Sequence, residues 1–207
     1  MLTFALDEQA WVGCHSDDRW LFNKLELSKR LGYKCGPACV PVPAPGEYIV
    51  RPCINLNGMG KGAHFLHIEE DTDNLPVGTF WCEKFSGQHL SIDYEFGKQV
   101  LCVEGTRHKD QPIQRFNRWA KVEAAVPLPD ILKTLKGEYR FINIEMIGGN
   151  IIEVHLRDNP DFRDGATCIF PVWNDDPNLE QKKKNRHFVS DPEVDRVGFL
   201  KYGGPYQ

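Results

Sequence analysis

Two carboxylates stand at the centre of the segment Asn143-Ile144-Glu145-Met146-Ile147-Gly148-Gly149-Asn150-Ile151-Ile152-Glu153-Val154-His155-Leu156-Arg157. Side chains alternate across the two faces of a strand. A hairpin turning at Gly148-Gly149-Asn150 therefore sets Asn143, Glu145, Glu153, His155 and Arg157 on one face. Ile144, Met146, Ile152, Val154 and Leu156 fall on the other. Carboxylates held close together repel unless a cation lies between them. Mg2+ takes oxygen ligands, commonly one or two carboxylates together with phosphates. The same face also reads as the charged outer side of a half-exposed hairpin.

A second group lies upstream. Arg51 closes a short apolar strand, and Asn57-Gly58-Met59-Gly60-Lys61-Gly62 follows soon after. Glycines let backbone N–H groups approach a ligand closely, and Arg51 and Lys61 bring positive charge to either side. That combination suits a polyphosphate. It is not a Walker A loop, which ends in Gly-Lys-Ser/Thr, nor a dinucleotide fingerprint, which opens a helix. Alone, it also reads as a surface turn. The third group is Trp81-Cys82-Glu83-Lys84-Phe85-Ser86-Gly87, where a strand gives way to a turn. Exposed backbone groups at such a junction can pair with the edge of an adenine while Phe85 or Trp81 packs on its face. The alternative is an ordinary strand connection.

Taken in order, these segments are a basic strand end, a glycine loop, a Glu-Lys-Phe hinge and a Glu-x-His hairpin with a following Arg. In that order the chain resembles the ATP-grasp family across roughly residues 15–173. The resemblance implies two lobes built on antiparallel sheets with ATP bound between them. It implies that Arg51, Asn57, Gly58, Gly60, Lys61 and Gly62 hold phosphates, and that Glu83, Lys84 and Phe85 form the adenine hinge. His89 falls near the place of the acid that meets the ribose. Glu145, Glu153 and His155 would hold Mg2+, with His155 where the family usually has Asn. A nitrogen ligand suits Mn2+ somewhat better, and Asn143 or Asn159 would supply the missing oxygen. Arg157 and Lys61 are the implied catalytic cations, facing the charge on the transferring phosphate.

The activity so implied is an ATP-dependent ligase. It would activate the carboxylate of a small molecule or peptide as an acyl phosphate for attack by an amine or thiol. Two other readings stay open: a phosphotransferase that stops at the phosphorylated product, and a non-catalytic nucleotide-binding or interaction protein. Arg107, Lys109, Arg115 and Arg118 form a basic stretch that would meet an anionic substrate or the γ-phosphate, or else remain a solvated face.

The elements that must position these groups follow from local pattern. Asp17–Leu31 reads as one helix with Ser16 as its cap and Gly32 as its stop. Gly97-Lys98 reads as a hairpin turn between strands at 90–96 and 99–104. Hairpins outnumber helices, so the expected class is α+β, a two-lobed fold. The expected division is a small lobe at 1–82, a larger lobe at 83–173, and a polar connector with a C-terminal tail at 174–207. With 41% hydrophobic and 26% charged residues among 207, the chain has the balance of a globular protein. A net charge of -4 speaks against non-specific binding to nucleic acid or membranes. No apolar run reaches the roughly 18 residues of a membrane helix, and the N-terminus lacks the pattern of a signal peptide. The expected compartment is the cytoplasm, and seven cysteines without paired spacing agree with it. The layout is that of a minimal or truncated family member, for which a viral origin is the expectation.

Overall fold

The computed structural model describes residues 1–56, 60–109 and 111–206. Four strands make a small sheet: β1 (Cys35–Pro37), β2 (Gly46–Pro52), β3 (His64–Ile68) and β4 (Thr79–Glu83), in the order β1-β4-β2-β3. Its core is Val42, Tyr48, Val50, Ile68 and Trp81. The Trp81 ring meets Tyr48 edge-on at 5.3 Å, and its Nε1–H donates to the Val40 carbonyl at 2.8 Å.

Eight strands make the large sheet: β5 (His89–Glu95), β6 (Lys98–Thr106), β7 (Arg118–Lys121), β8 (Phe141–Ile147), β9 (Asn150–His155), β10 (Cys168–Trp173), β11 (Phe188–Glu193) and β12 (Arg196–Tyr202). Their order is β11-β12-β10-β7-β6-β5-β8-β9, and every strand pairing is antiparallel. The helices are few and short: α1 (Asp7–Gly13), α2 (Lys24–Arg30) and α3 (Leu179–Lys183). This is the expected α+β class. Among the described residues no helix is long and apolar enough to cross a membrane.

The tight turns have a local cause. Phe96 and Gly97 link β5 to β6 with φ of 52° and 75°, and Gly148 and Gly149 link β8 to β9 with φ of 56° and 85°. Two successive positive φ angles match the right-handed twist of the flanking strands. The first turn is thus centred one residue earlier than Gly97-Lys98.

One expectation is corrected. The helix foreseen at 17–31 is broken. Ser16–Phe22 is a 3-10 turn, and α2 starts afresh after Asn23. The Asn23 side chain accepts from the N–H groups of Leu25 and Glu26 at 3.1 and 3.2 Å, so a strong cap inside the apolar pattern opens a new helix. Ser16 caps nothing, since the N–H of Asp17 donates to the His15 ring instead. Gly32, with φ of 77°, does end α2. The N-terminal segment packs on the large sheet. Ala10, Leu21, Phe22 and Leu27 share one core with Ile92, Ile144, Ile151 and Val154. Beyond residue 173 lie α3, β11 and β12. Phe199 of β12 is buried with Val103, Phe162 and Ile169, which anchors that end of the chain.

Candidate functional site

A cavity of about 230 Å³ is lined by both sheets. The small sheet contributes Ile49 and Arg51 of β2, Phe65 of β3 and Cys82 of β4. The large sheet contributes His89, Ser91, Asn143, Glu145, Ile147, Ile152, Glu153 and His155. Phe85, on the link between the sheets, joins them and meets Tyr33 edge-on at 4.7 Å. Along the β8–β9 hairpin the turn end is apolar, through Ile147. Further along, Glu145 stands opposite Glu153, and Asn143 opposite His155. The expected polar face therefore forms, with one change. Pairing slips between Glu145 and Met146, so Met146 meets Ile151 and Ile152 is the extra residue of a bulge. Ile151 takes the core position, while Ile152 turns to the cavity.

Each carboxylate of this face has a nitrogen partner. His89 Nε2 lies 3.2 Å from Glu145 Oε2, and Lys24 Nζ lies 2.7 Å from Glu153 Oε1. His155 Nδ1 lies 3.0 Å from Asp7 Oδ2 and its Nε2 3.8 Å from Glu153 Oε1. Arg157 Nη2 donates to Asp7 Oδ2 at 2.9 Å. Burial pushes the Asp7 carboxyl up, but His155 and Arg157 outweigh it and hold the group at about 2. Burial likewise opposes the charge of His155, yet Asp7 outweighs it and raises the imidazole above its ordinary value. Glu145 is desolvated, but its bond to His89 and the nearby cations hold it well below the usual carboxylate range.

Arg51 is the buried cation of the small sheet, 8% exposed. Its Nη2 donates to the Ile152 carbonyl at 2.9 Å, and its guanidinium lies 5.3 Å from the centre of the Phe80 ring. Its buried Nε has no hydrogen-bond partner. Desolvation lowers its pKa, with Glu153 and Glu145 acting the other way. Arginine stays charged under such pressure, so a buried cation with a spare donor stands in the cavity wall. Below it, Asn143 Nδ2 donates to Ser91 Oγ at 2.8 Å and to Asp93 Oδ1 at 2.7 Å, while the Asn159 N–H donates to Asp93 at 3.0 Å. That network fixes the chain that leaves β9.

Most expected residues reach the cavity: Arg51, Gly60, Lys61, Phe85, His89, Glu145, Glu153, His155 and Arg157. Asn57 and Gly58 lie outside the described residues. Gly62 is off the lining, beside Pro52. Glu83 is drawn off, because its carboxylate accepts the Lys34 N–H at 2.8 Å. Lys84 leaves the lining for the Phe65 ring, 4.4 Å away, on the edge of a neighbouring groove. Of the expected hinge side chains, only Phe85 faces the cavity. In the basic stretch, Arg107 lines the cavity, but Arg115 binds Asp175 at 2.6 Å and Arg118 Nε donates to Cys168 Sγ at 3.2 Å.

The expected metal ligands are together but not free. Among the described residues no three His, Cys, Asp or Glu side chains are grouped to hold a metal ion. Glu153 is held by an ammonium and His155 by a carboxylate, so the site does not fit Mg2+ as arranged. Sequence reasoning missed Lys24, Asp7 and Phe65. For Lys24 a signal existed: a cation in the first turn of a helix opposes the helix dipole and calls for an explanation.

No protein-family model matches the sequence, and no curated protein matches it either. Solved structures do. An N5-carboxyaminoimidazole synthetase from Staphylococcus aureus, complexed with ADP, matches at 12% identity and a TM-score of 0.54, over 88% of this chain and 67% of that one. A carboxyaminoimidazole ribonucleotide synthase from Aspergillus clavatus, complexed with ATP, matches at 10% identity and 0.52, over 90% and 69%. An Archaeoglobus fulgidus structure described as an ATP-grasp superfamily protein matches at 14% identity and 0.50, over 88% of this chain and 64% of that one. The chain thus spans about two thirds of the length of these structures. The likeness establishes the ATP-grasp fold.

Proposed function

We propose that this chain, with its ATP-grasp fold, binds ATP in the cavity between its sheets and uses it to join a carboxylate to an amine or thiol. The observation that carries the reading is Arg51, a nine-tenths buried residue in the wall of a cavity lined by both sheets, with its Nε unmatched. A buried charged donor without a partner is costly, and a phosphate oxygen would satisfy it. The apolar side chains Ile49, Phe65, Phe85, Ile147 and Ile152 offer a base the other half of the cavity.

In this reading Arg51 and Lys61 receive the phosphates with Asn57, Gly58, Gly60 and Gly62 of the glycine loop. Phe85 packs on the adenine, with Glu83 and Lys84 contributing backbone alone. His89 serves the ribose. A carboxylate oxygen of the substrate attacks the γ-phosphorus, the bond to the bridging oxygen breaks, and ADP leaves. An amine or thiol then adds to the acyl carbon, and inorganic phosphate leaves. Arg157, oriented by Asp7, and Lys61 spread the developing charge. Glu145, Glu153 and His155 already have partners and do not fit Mg2+. The substrate would be a small-molecule or peptide carboxylate, and a reaction fed by ATP belongs in the cytoplasm. The lobe boundary in this reading stays at the junction of residues 82 and 83.

A second reading, nucleotide binding without turnover, is favoured by one observation: Lys24 occupies Glu153. Thermal melting tests the shared part. A ligand at 100 times its Kd adds about 2.7 kcal/mol, so millimolar ATP should raise Tm by several degrees. No rise with any nucleoside triphosphate would remove both readings. Release of ADP in the presence of candidate carboxylates and amines separates the enzyme from the binder.

A further inference from the structure

We infer that Lys24 stands in for a divalent cation in this cavity, so that a nucleoside triphosphate binds here without a metal ion. The inference rests on the nucleotide reading of the same cavity. Its ground is the Glu145–Glu153 pair, two carboxylates set opposite each other across β8 and β9. Left alone they would repel, and an added cation would relieve them. The chain supplies that cation itself. Lys24 Nζ lies 2.7 Å from Glu153 Oε1, with both side chains largely shielded from water. Glu145 Oε2 has His89 Nε2 at 3.2 Å.

The placement of Lys24 is otherwise unfavourable. It is 5% exposed and is the first residue of α2, where the helix dipole repels a cation. Burial alone opposes an ammonium strongly. Only the carboxylate partner accounts for a charge kept there. The residue is also clamped. Its N–H donates to the Cys53 carbonyl at 2.7 Å, and its carbonyl accepts from Ser28 Oγ at 2.7 Å. Cys53 directly follows β2, the strand that bears Arg51. Lys24 therefore ties the phosphate strand of the small sheet to the acidic hairpin of the large one. A hydrated ion would have to displace a tethered charge whose local concentration is fixed by the fold.

The test uses the full chain and two readouts. The first is ATP affinity by titration calorimetry in EDTA and in excess Mg2+. Wild type should bind with Kd values that agree within about threefold, whereas Lys24→Met should lose at least about tenfold in EDTA and recover in Mg2+. The second needs no nucleotide: Mn2+ uptake followed by electron paramagnetic resonance. Wild type should hold no ion at this site, and Lys24→Met should gain one that Glu153→Gln in the same chain removes. A wild type that binds ATP only with Mg2+, or that takes up Mn2+ in a Glu153-dependent manner, overturns the inference. So does a Lys24→Met chain that matches wild type in both readouts. The wild-type comparisons decide the matter even where Lys24→Met does not fold. ATP binding absent under every condition would instead remove the nucleotide reading, and the Mn2+ result would still bear on Lys24.

Discussion

Asp7 and His155 lie 148 positions apart, yet their side chains meet at 3.0 Å in the interior. Through this contact the first helix of the chain reaches the acidic hairpin and closes it. The carboxylate of Asp7 also holds Arg157, so one N-terminal residue orients two cations at the cavity.

That contact sets a pH profile. Asp7 has its pKa lowered from 3.8 to about 2, so its stabilisation is present above about pH 4 and is lost as pH falls toward 2. His155 has its pKa raised above 6.5, so its stabilisation is full below that value and is lost as pH rises through the folded pKa. Stability should therefore be greatest between about pH 4 and 6.5, with the Asp7 shift worth about 2 kcal/mol. Urea denaturation from pH 3 to 9 measures this. Asp7→Asn should flatten both limbs and destabilise by about 3 kcal/mol, because it strands buried cations. Equal profiles for the two proteins would contradict the pairing.

Glu153 should be needed for folding stability as well as for charge. Glu153→Gln leaves the Lys24 ammonium buried without its carboxylate, at a cost of about 3 kcal/mol. The double variant Lys24→Met, Glu153→Gln removes both charges and should recover most of that loss. A Glu153→Gln melt equal to wild type would show that Lys24 finds water instead.

Gly148 should tolerate no side chain. It adopts φ of 56°, and a Cβ there would lie 2.1 Å from the Ser86 carbonyl oxygen. Gly148→Ala combines strain with a clash against backbone and should cost at least about 2 kcal/mol. Because Ser86 adjoins Phe85, nucleotide affinity should fall with it. Gly149→Ala, which meets nothing within 4 Å, is the control for φ alone, with strain of about 1 kcal/mol.

Phe85 should report on the base rather than the phosphates. Phe85→Ala removes an aromatic face from the cavity and should weaken ATP by about tenfold while leaving inorganic tripolyphosphate unchanged. Competition against a fluorescent nucleotide reads both. An equal loss for the two ligands would mean that Phe85 shapes the whole cavity.

The hairpins were legible because their causes are local. Gly97 and Gly148-Gly149 carry the positive φ angles that tight turns need, and alternation placed Glu145, Glu153 and His155 on one face. The bulge at Ile152 was hidden, since it arises from pairing with β8 and leaves no composition signal. Asn23 was a readable cap, yet Trp20, Leu25 and Leu27 around it kept an unbroken apolar stripe. β10 escaped because Pro171 sits inside it, and proline argues against a strand. The partners of the site were the least legible part. The helix start marks Lys24 as a misplaced cation, but nothing near position 7 or 24 names 155 or 153 as the partner. Those contacts exist only once the N-terminal segment packs on the large sheet.

The most direct test of the account is a crystal structure with a non-hydrolysable ATP analogue soaked in, with and without Mg2+. The account expects one nucleotide between the sheets in both crystals, its base against Phe85, a phosphate oxygen on Arg51 Nε, and Lys24 still on Glu153. An empty cavity at saturating analogue, or a nucleotide bound elsewhere on the chain, would contradict it.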